Sequence, residues 1–277
     1  MNKIAKLFKA IKLIIQRPVL LNLIVNDQSV LQKKFEKRYG SIPLKEIDIF
    51  DWPQAQQLNV SPMSFLSGSS LVTDFALLQI LSIHYKVQTY FEIGTWRGES
   101  VANVSPFVTR AYTLNLPDET MRKLGHTQAY IDSHRYFSKK LSNVTHLFGD
   151  SATFDFSEFY GRMDLIFIDG DHSLKAVQRD TQTALKLQKS LDSIIVWHDA
   201  KSDTEYPRYE VLMGILNGLP KEMHQHVFLV RNSLCAVYLP NNNQYQEMQI
   251  NALPTRFFEL SLSQQNLQMP NSSSQIK

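Results

Sequence analysis

The sequence predicts an α/β fold: a doubly wound, mostly parallel sheet of seven strands, with helices on both faces and an antiparallel hairpin at its end. Three observations point there. Short apolar runs at 89–94, 111–116, 143–148, 164–169 and 193–198 alternate with helix-like stretches at about 98–108, 127–140, 173–190 and 208–217. Runs such as Leu165-Ile166-Phe167-Ile168 and Ile194-Ile195-Val196 lack polar alternation, as strands covered on both faces do. The rhythm then breaks: Val227-Phe228-Leu229-Val230 and Leu234-Cys235-Ala236-Val237-Tyr238-Leu239 flank Arg231-Asn232-Ser233, the pattern of a hairpin.

Taken in order, residues 3–16 repeat at helical spacing. Ile4, Leu7, Phe8, Ile11, Ile14 and Ile15 share one face, and four lysines cover the other. Pro18 interrupts this helix, and Val19 to Val25 continue in apolar fashion. Two partners for this face stay open: the protein's own core or a second subunit (a homo-oligomer), and an anionic membrane surface met through residues 1–25. Residues 1–40 are therefore read as a helical extension. Residues 41–70 read as an irregular lid or linker, punctuated by Pro43, Pro53, Pro62 and Ser67-Gly68-Ser69-Ser70. The main domain is expected over 71–240, opening with a helix that buries Leu71, Phe75, Leu78 and Ile80 or Leu81. Pro106 is expected to end the 98–108 helix early, and Ser173 to cap a helix carrying Leu174, Val177, Thr181, Ala184, Leu185 and Gln188. From Asn241 onward, 18 of 37 residues are Asn, Gln or Ser, which predicts a loose tail over 241–277 with Phe257-Phe258-Glu259-Leu260 as a docking candidate.

The composition, 43% apolar and 20% charged over 277 residues, excludes neither an enzyme nor a binding module. The net charge of +3 is uneven. Residues 1–17 hold five bases and no acid, leaving 24 bases against 26 acids elsewhere, so the main domain carries no nucleic-acid footprint. A single cysteine, Cys235, cannot pair internally, which suits a reducing cytoplasm. Lys12, Gln16, Arg17 and Asn22 break the N-terminal apolar runs well short of the ~20 residues of a membrane span, so a cytoplasmic protein is expected, peripheral to the inner membrane surface if the helix binds lipid.

In a doubly wound sheet, ligands bind beyond the carboxyl ends of the strands. The residues expected there are Glu92 and Gly94, Asn115, Gly149-Asp150-Ser151, Asp169-Gly170-Asp171-His172 and His198-Asp199. Acids and histidines recur at nearly every tip. The first tip reads Glu92-Ile93-Gly94-Thr95-Trp96-Arg97-Gly98-Glu99-Ser100, the order E-x-G-x-x-x-G-x-S of a strand turning tightly into a helix, not the G-x-G-x-x-G of a dinucleotide site.

That order resembles motif I of the class I S-adenosylmethionine-dependent methyltransferases, and the five βα-like units with a closing hairpin resemble their Rossmann-like sheet. Phe167-Ile168-Asp169-Gly170-Asp171-His172 and Ile195-Val196-Trp197-His198-Asp199 resemble the methyltransferase-24 type of small-molecule O-methyltransferases and, more distantly, the macrolide-sugar and catechol enzymes. The resemblance implies S-adenosylmethionine held by Glu92, Gly94, Thr95, Gly98, Ser100, Asn115, Asp150, Ser151 and Asp169. It implies a divalent metal, Mg²⁺ by the hardness of the carboxylates, on Asp169 and Asp199 with His198, and His172 as base with Asp169 as its catalytic neighbour. The acceptor would be a hydroxyl of a small molecule or sugar. Three departures stand out: Trp96 occupies a position where many relatives have glycine, Asn115 one where they have an acid, with Asp118 or Glu119 as substitutes, and His198 one where some metal-dependent relatives have an acid. The chemistry agrees with the names, because a hydroxyl needs a base and His titrates near neutrality. Metal-independent transfer and a noncatalytic nucleotide-binding scaffold remain as alternatives. A Rossmann oxidoreductase lacks its glycine spacing here. Amino-methylation of DNA bases is also disfavoured: those enzymes resemble one another in an Asn/Asp-Pro-Pro-aromatic motif at the fourth strand tip, and this chain has none there.

Overall fold

The computed structural model describes residues 2–21, 24, 27–40, 44–56, 58–251 and 253–265. Asn22, Val25, Pro43 and the tail beyond 265, all used in the sequence reading, lie outside these. The strands are β1 (Lys45–Ile47), β2 (Thr89–Ile93), β3 (Arg110–Asn115), β4 (Val144–Phe148), β5 (Leu165–Ile168), β6 (Ile194–Trp197), β7 (Val227–Val230), β8 (Ala236–Tyr238) and β9 (Gln246–Glu247). The helices are α1 (Lys3–Gln16), α2 (Gln28–Tyr39), α3 (Val72–His84), α4 (Glu99–Val104), α5 (Asp118–Lys123), α6 (Gln128–Ser133), α7 (Leu174–Leu187) and α8 (Tyr209–Gly218).

They form one sheet in the order β4-β3-β2-β5-β6-β8-β7-β1-β9. The block β4-β3-β2-β5-β6 is parallel throughout, and β8 enters antiparallel to both β6 and β7. The order reverses between β2, which leads to β3 on one side, and β5 on the other, so a crevice opens at their carboxyl ends. Side chains alternate across the sheet as the unbroken apolar runs require. Tyr90, Leu165, Phe167, Ile194 and Val196 pack on one face with Leu77, Leu81 and Val101 from α3 and α4. Phe91, Ile166, Ile168, Ile195 and Trp197 pack on the other with Val177 and Leu187 of α7 and Val211 and Ile215 of α8.

Among the described residues nine strands stand where seven were expected. The additions come from segments read as irregular. β1, inside the predicted 41–70 linker, pairs parallel with β7, and β9, inside the predicted loose tail, pairs antiparallel with β1. Strands of three and two residues are too short to leave a periodic signal. The tail docks further through Arg256, which reaches Asp48 at 3.0 Å and pairs with Asp51, and through Phe258, whose ring lies edge-on to Phe50 at 5.1 Å. Phe257 stays exposed. Helix limits differ for local reasons. The 98–108 helix stops at Val104 and continues as a 3₁₀ turn through Pro106. The expected 127–140 helix ends at Ser133, since His134 is extended and Arg135 takes φ +61°.

Lys201, fully buried, ties the loop after β6 to the added strand: its Nζ lies 3.2 Å from Glu46 Oε1 and donates to the Val230 carbonyl at 2.8 Å. Removing one partner of a buried pair strands the other's charge in a poor solvent for it. Lys201→Met should lower folding stability by about 3 kcal/mol, read as a shifted urea midpoint. Adding Glu46→Gln should recover part of that loss.

Candidate active site

Gly94 and Gly98 shape the turn that leaves β2. Gly94 has φ +101°, and a Cβ there would lie 2.0 Å from the Asp169 carbonyl oxygen at the tip of β5. Gly98 has φ +77° at the start of α4, where a Cβ would lie 2.1 Å from Ser138 Oγ. Both positions combine left-handed backbone with no room for a side chain. The wider loop between them admits Trp96 at φ +45°, its ring 4.7 Å from both Tyr130 and His134 and capped by Arg97 at 4.6 Å. The segment before α3 covers this turn. Ser69 Oγ donates to Glu99 Oε2 at 2.7 Å, the Ser61 N–H to Asn103 Oδ1 at 2.8 Å, and Arg97 to the Ser67 carbonyl at 2.9 Å.

A cavity of about 850 Å³ results at the carboxyl ends of β2 to β6. Of the predicted site residues, Gly94, Asn115, Asp150, Ser151, Asp169, His172, His198 and Asp199 line it together. Glu92, Thr95, Gly98 and Ser100 do not line it. Glu92 is fully buried beneath the turn, where Oε2 accepts from Tyr90 Oη at 2.8 Å and Ser100 Oγ at 2.6 Å, and Oε1 from Thr113 Oγ at 2.8 Å. Thr113 in turn shares a hydroxyl contact with Thr95. Burial pushes the Glu92 carboxyl up to about 7 against these three hydroxyl donors. Asp118 and Glu119 are turned away, paired with Arg135 at 3.2 Å and Lys123 at 2.9 Å, so Asn115 is the side chain at that tip.

The opposite wall gathers charge. Asp169, His172 and Asp199 each bring a ligand atom within 4.8 Å of the other two. His172 Nε2 lies 3.1 Å from Asp199 Oδ2, and Arg208 Nη1 3.7 Å from Asp199 Oδ1. His198 is buried between acids. Its Nε2 meets Asp74 Oδ2 at 3.2 Å, while its Nδ1 stands 3.1 Å from Asp169 Oδ1 and 3.3 Å from Asp199 Oδ2. Burial favours a neutral ring, but the charge of Asp169, together with Asp199 and Asp74, outweighs it and raises His198 well above the ordinary histidine range. Burial likewise opposes ionisation of Asp199, yet His198, helped by His172 and Arg208, holds it at about 2.

These donors fit a divalent cation. Among the described residues His198 Nδ1 is a buried ring nitrogen with no aligned hydrogen-bond partner, and it faces the two carboxylates. Asp74 beyond Nε2 supplies the outer carboxylate that orients ligating histidines. A second cluster, Asp74 with His198 and Cys235, does not fit. Asp74 Oδ1 already accepts from Ser233 Oγ and the Leu234 N–H, and Oδ2 from the Leu71 N–H beside the His198 contact.

Sequence reasoning missed Asp74, because an acid in the first turn of a helix reads as a cap; it does accept from the Leu71 N–H. Nor did that reasoning single out His134, which lines the cavity with Trp96, Tyr130 and Arg179. Loop geometry brings these in, and no spacing announces it.

Strand order, reversal point and glycine turn together define a doubly wound, Rossmann-like domain. Residues 91–200 match the methyltransferase-24 family model, described as a methyltransferase domain. Among solved structures, an O-methyltransferase from Bacillus cereus with bound S-adenosylhomocysteine is similar at 15% identity and TM-score 0.41, covering 63% of this chain and 84% of that one. The O-methyltransferase TomG from Streptomyces achromogenes, solved with S-adenosylmethionine, gives 15% and 0.40 with 62% and 81% covered. Spermidine synthase from Thermotoga maritima gives 14% and 0.36 with 53% and 51%. A comparison with curated proteins finds no match.

Two outcomes follow from the turn and its support. Gly94→Ala should abolish ligand binding in the cavity, measured by calorimetry, because neither backbone can yield at 2.0 Å. Glu92, ordinarily near 4.5 and held at about 7 in the folded chain, is the proton-rich partner in folding. Its contribution is full below pH ~4.5 and is lost as pH rises through ~7, about 3 kcal/mol in all. Glu92→Gln should remove that slope, so the stability difference between variant and parent in urea should grow from pH 5 to pH 8.

Proposed function

We propose that this chain transfers a methyl group from S-adenosylmethionine to an oxygen of a small molecule or sugar. The observation that carries the reading is one cavity with two unlike walls. Gly94, Asn115, Asp150 and Ser151 form a wall suited to a nucleoside, and Asp169, His172, His198 and Asp199 one suited to proton removal. Its volume lies within the range of small-molecule sites, here at the upper end, with room for donor and acceptor side by side.

In this reading Gly94 lets the donor approach the β2 turn, Asn115 hydrogen-bonds a ribose hydroxyl, and the Asp150-Ser151 turn meets the base. Arg179 donates to Ser151 Oγ at 3.1 Å and steadies that turn. Glu92, Thr95, Gly98 and Ser100 act from below, fixing the loop without touching the donor. Carboxylates across the crevice attract the sulfonium. As the acceptor oxygen attacks the methyl carbon, the carbon–sulfur bond breaks, leaving a neutral thioether and a methyl ether. The hydroxyl proton passes to His172, which Asp199 orients through Nε2. A divalent cation held by Asp169, Asp199 and His198 would lower the pKa of an acceptor hydroxyl. In-line positioning supplies much of the rest.

Calorimetry should find binding of S-adenosylmethionine and S-adenosylhomocysteine and none of NAD. Binding of NAD alone would sink the reading. Asn115→Ala should weaken the donor about tenfold, whereas His172→Ala should leave its affinity unchanged and slow transfer by roughly 10²–10⁴. Mn²⁺ binding followed by electron paramagnetic resonance tests the cation apart from turnover. Bound-ion signal in the parent and its loss in Asp199→Asn support the site; turnover undiminished in EDTA removes the metal from the mechanism.

A further inference from the structure

We propose that α1 lies in the plane of an anionic lipid surface and holds the protein there. The proposal does not rest on the methyl-transfer reading. Asn2 caps the helix by accepting from the Ala5 N–H at 2.8 Å, yet no residue of α1 is buried, and among the described residues its main packing is against the turn that follows it. Ile4, Leu7, Phe8 and Ile15 are 65%, 57%, 68% and 75% exposed. A 14-residue helix that buries none of its residues is marginal in water, so this face needs a surface to cover it.

Helical geometry places Ile14, Leu7, Ile11, Ile4, Ile15 and Phe8 on an arc of about 120°. Lys3 and Lys12 border that arc on its two sides, where their stems can lie along the apolar surface while the ammonium groups reach outward. Lys6 and Lys9 fill the far side. An apolar arc rimmed by lysines is the form of an interfacial helix. Its length of about 21 Å is too short for a bilayer core of about 30 Å, and among the described residues no helix is long and apolar enough to cross a membrane.

Charge selects lipid over protein. α2 adds Lys33, Lys34, Lys37 and Arg38 on its exposed side, while Leu31 and Phe35 fix it to the body against α8. Residues 1–40 thus hold nine bases and two acids, and the rest of the chain 20 bases and 24 acids. The anionic surface attracts the extension and repels the body, which orients the molecule as well as binding it. A second copy is a poorer partner. Two α1 helices packed face to face would bring their rim lysines together, with no acid in residues 1–17 to pair with them.

The test is flotation of the full chain with phosphatidylcholine vesicles carrying phosphatidylglycerol, against pure phosphatidylcholine vesicles. The expected result is binding to the anionic vesicles that weakens with salt, and about tenfold less binding to neutral ones. Phe8→Glu with Ile11→Glu should abolish binding while leaving the melting temperature and donor affinity unchanged. Three results with these vesicles and variants would overturn the proposal. They are absence of binding to anionic vesicles, undiminished binding by the double variant, and a lowered melting temperature in it, which would show that α1 packs on the body. A concentration-dependent dimer in sedimentation, dissolved by the same two substitutions, would assign the face to a second copy and overturn it as well.

Discussion

Asp74, Asp169 and Asp199 surround one buried imidazole, and the fold must keep a positive charge among them. Carboxylates this close repel unless a proton on His198 or a cation balances them. Everything nearby serves that balance. Asp74 is fixed by Ser233, Leu234 and Leu71, so its charge is anchored in the protein rather than free to turn. Asp199 sits at φ +55° between two histidines and Arg208. The wall facing the proposed acceptor is thus an electrostatic assembly drawn from α3, β5, β6 and the hairpin loop, and it holds only if the sheet brings those four elements into register.

The sheet does so through a contact that tolerates no side chain. The turn after β2 runs against the Asp169 carbonyl, which brings the wall of Gly94, Asn115, Asp150 and Ser151 and the acidic wall within one cavity. Glu92 supports the turn from inside. A carboxyl taken out of water but met by three hydroxyls joins β2, β3 and α4 at their common end. It lies beneath the turn and does not line the cavity.

Much of this was legible in the sequence. Continuous apolar strands, the hairpin and the recurrence of acids and histidines at strand tips carried the sheet and about half of the cavity lining. What stayed hidden has physical causes. β1 and β9 are stabilised by pairing with distant strands, so their two or three residues carry no pattern of their own. Asp74 belongs to a helix start 95 positions before Asp169, and only the folded sheet brings α3 beneath the β6 tip. His134 and Trp96 face the cavity because Arg135 and Trp96 adopt left-handed backbone, which spacing does not disclose.

The added edge of the sheet bears on how the chain assembles. β1 is synthesised early, yet its hydrogen-bonding partners are β7 and β9, separated from it by nearly the whole main domain. Its loop closure therefore waits for residues 227–247, and the edge is a high-contact-order element. During translation the β4-to-β6 block can form while the segment bearing β1 is still unpaired. The stretch carrying β9 then clasps β1, and Arg256 bonding Asp48 and Asp51 closes that clasp.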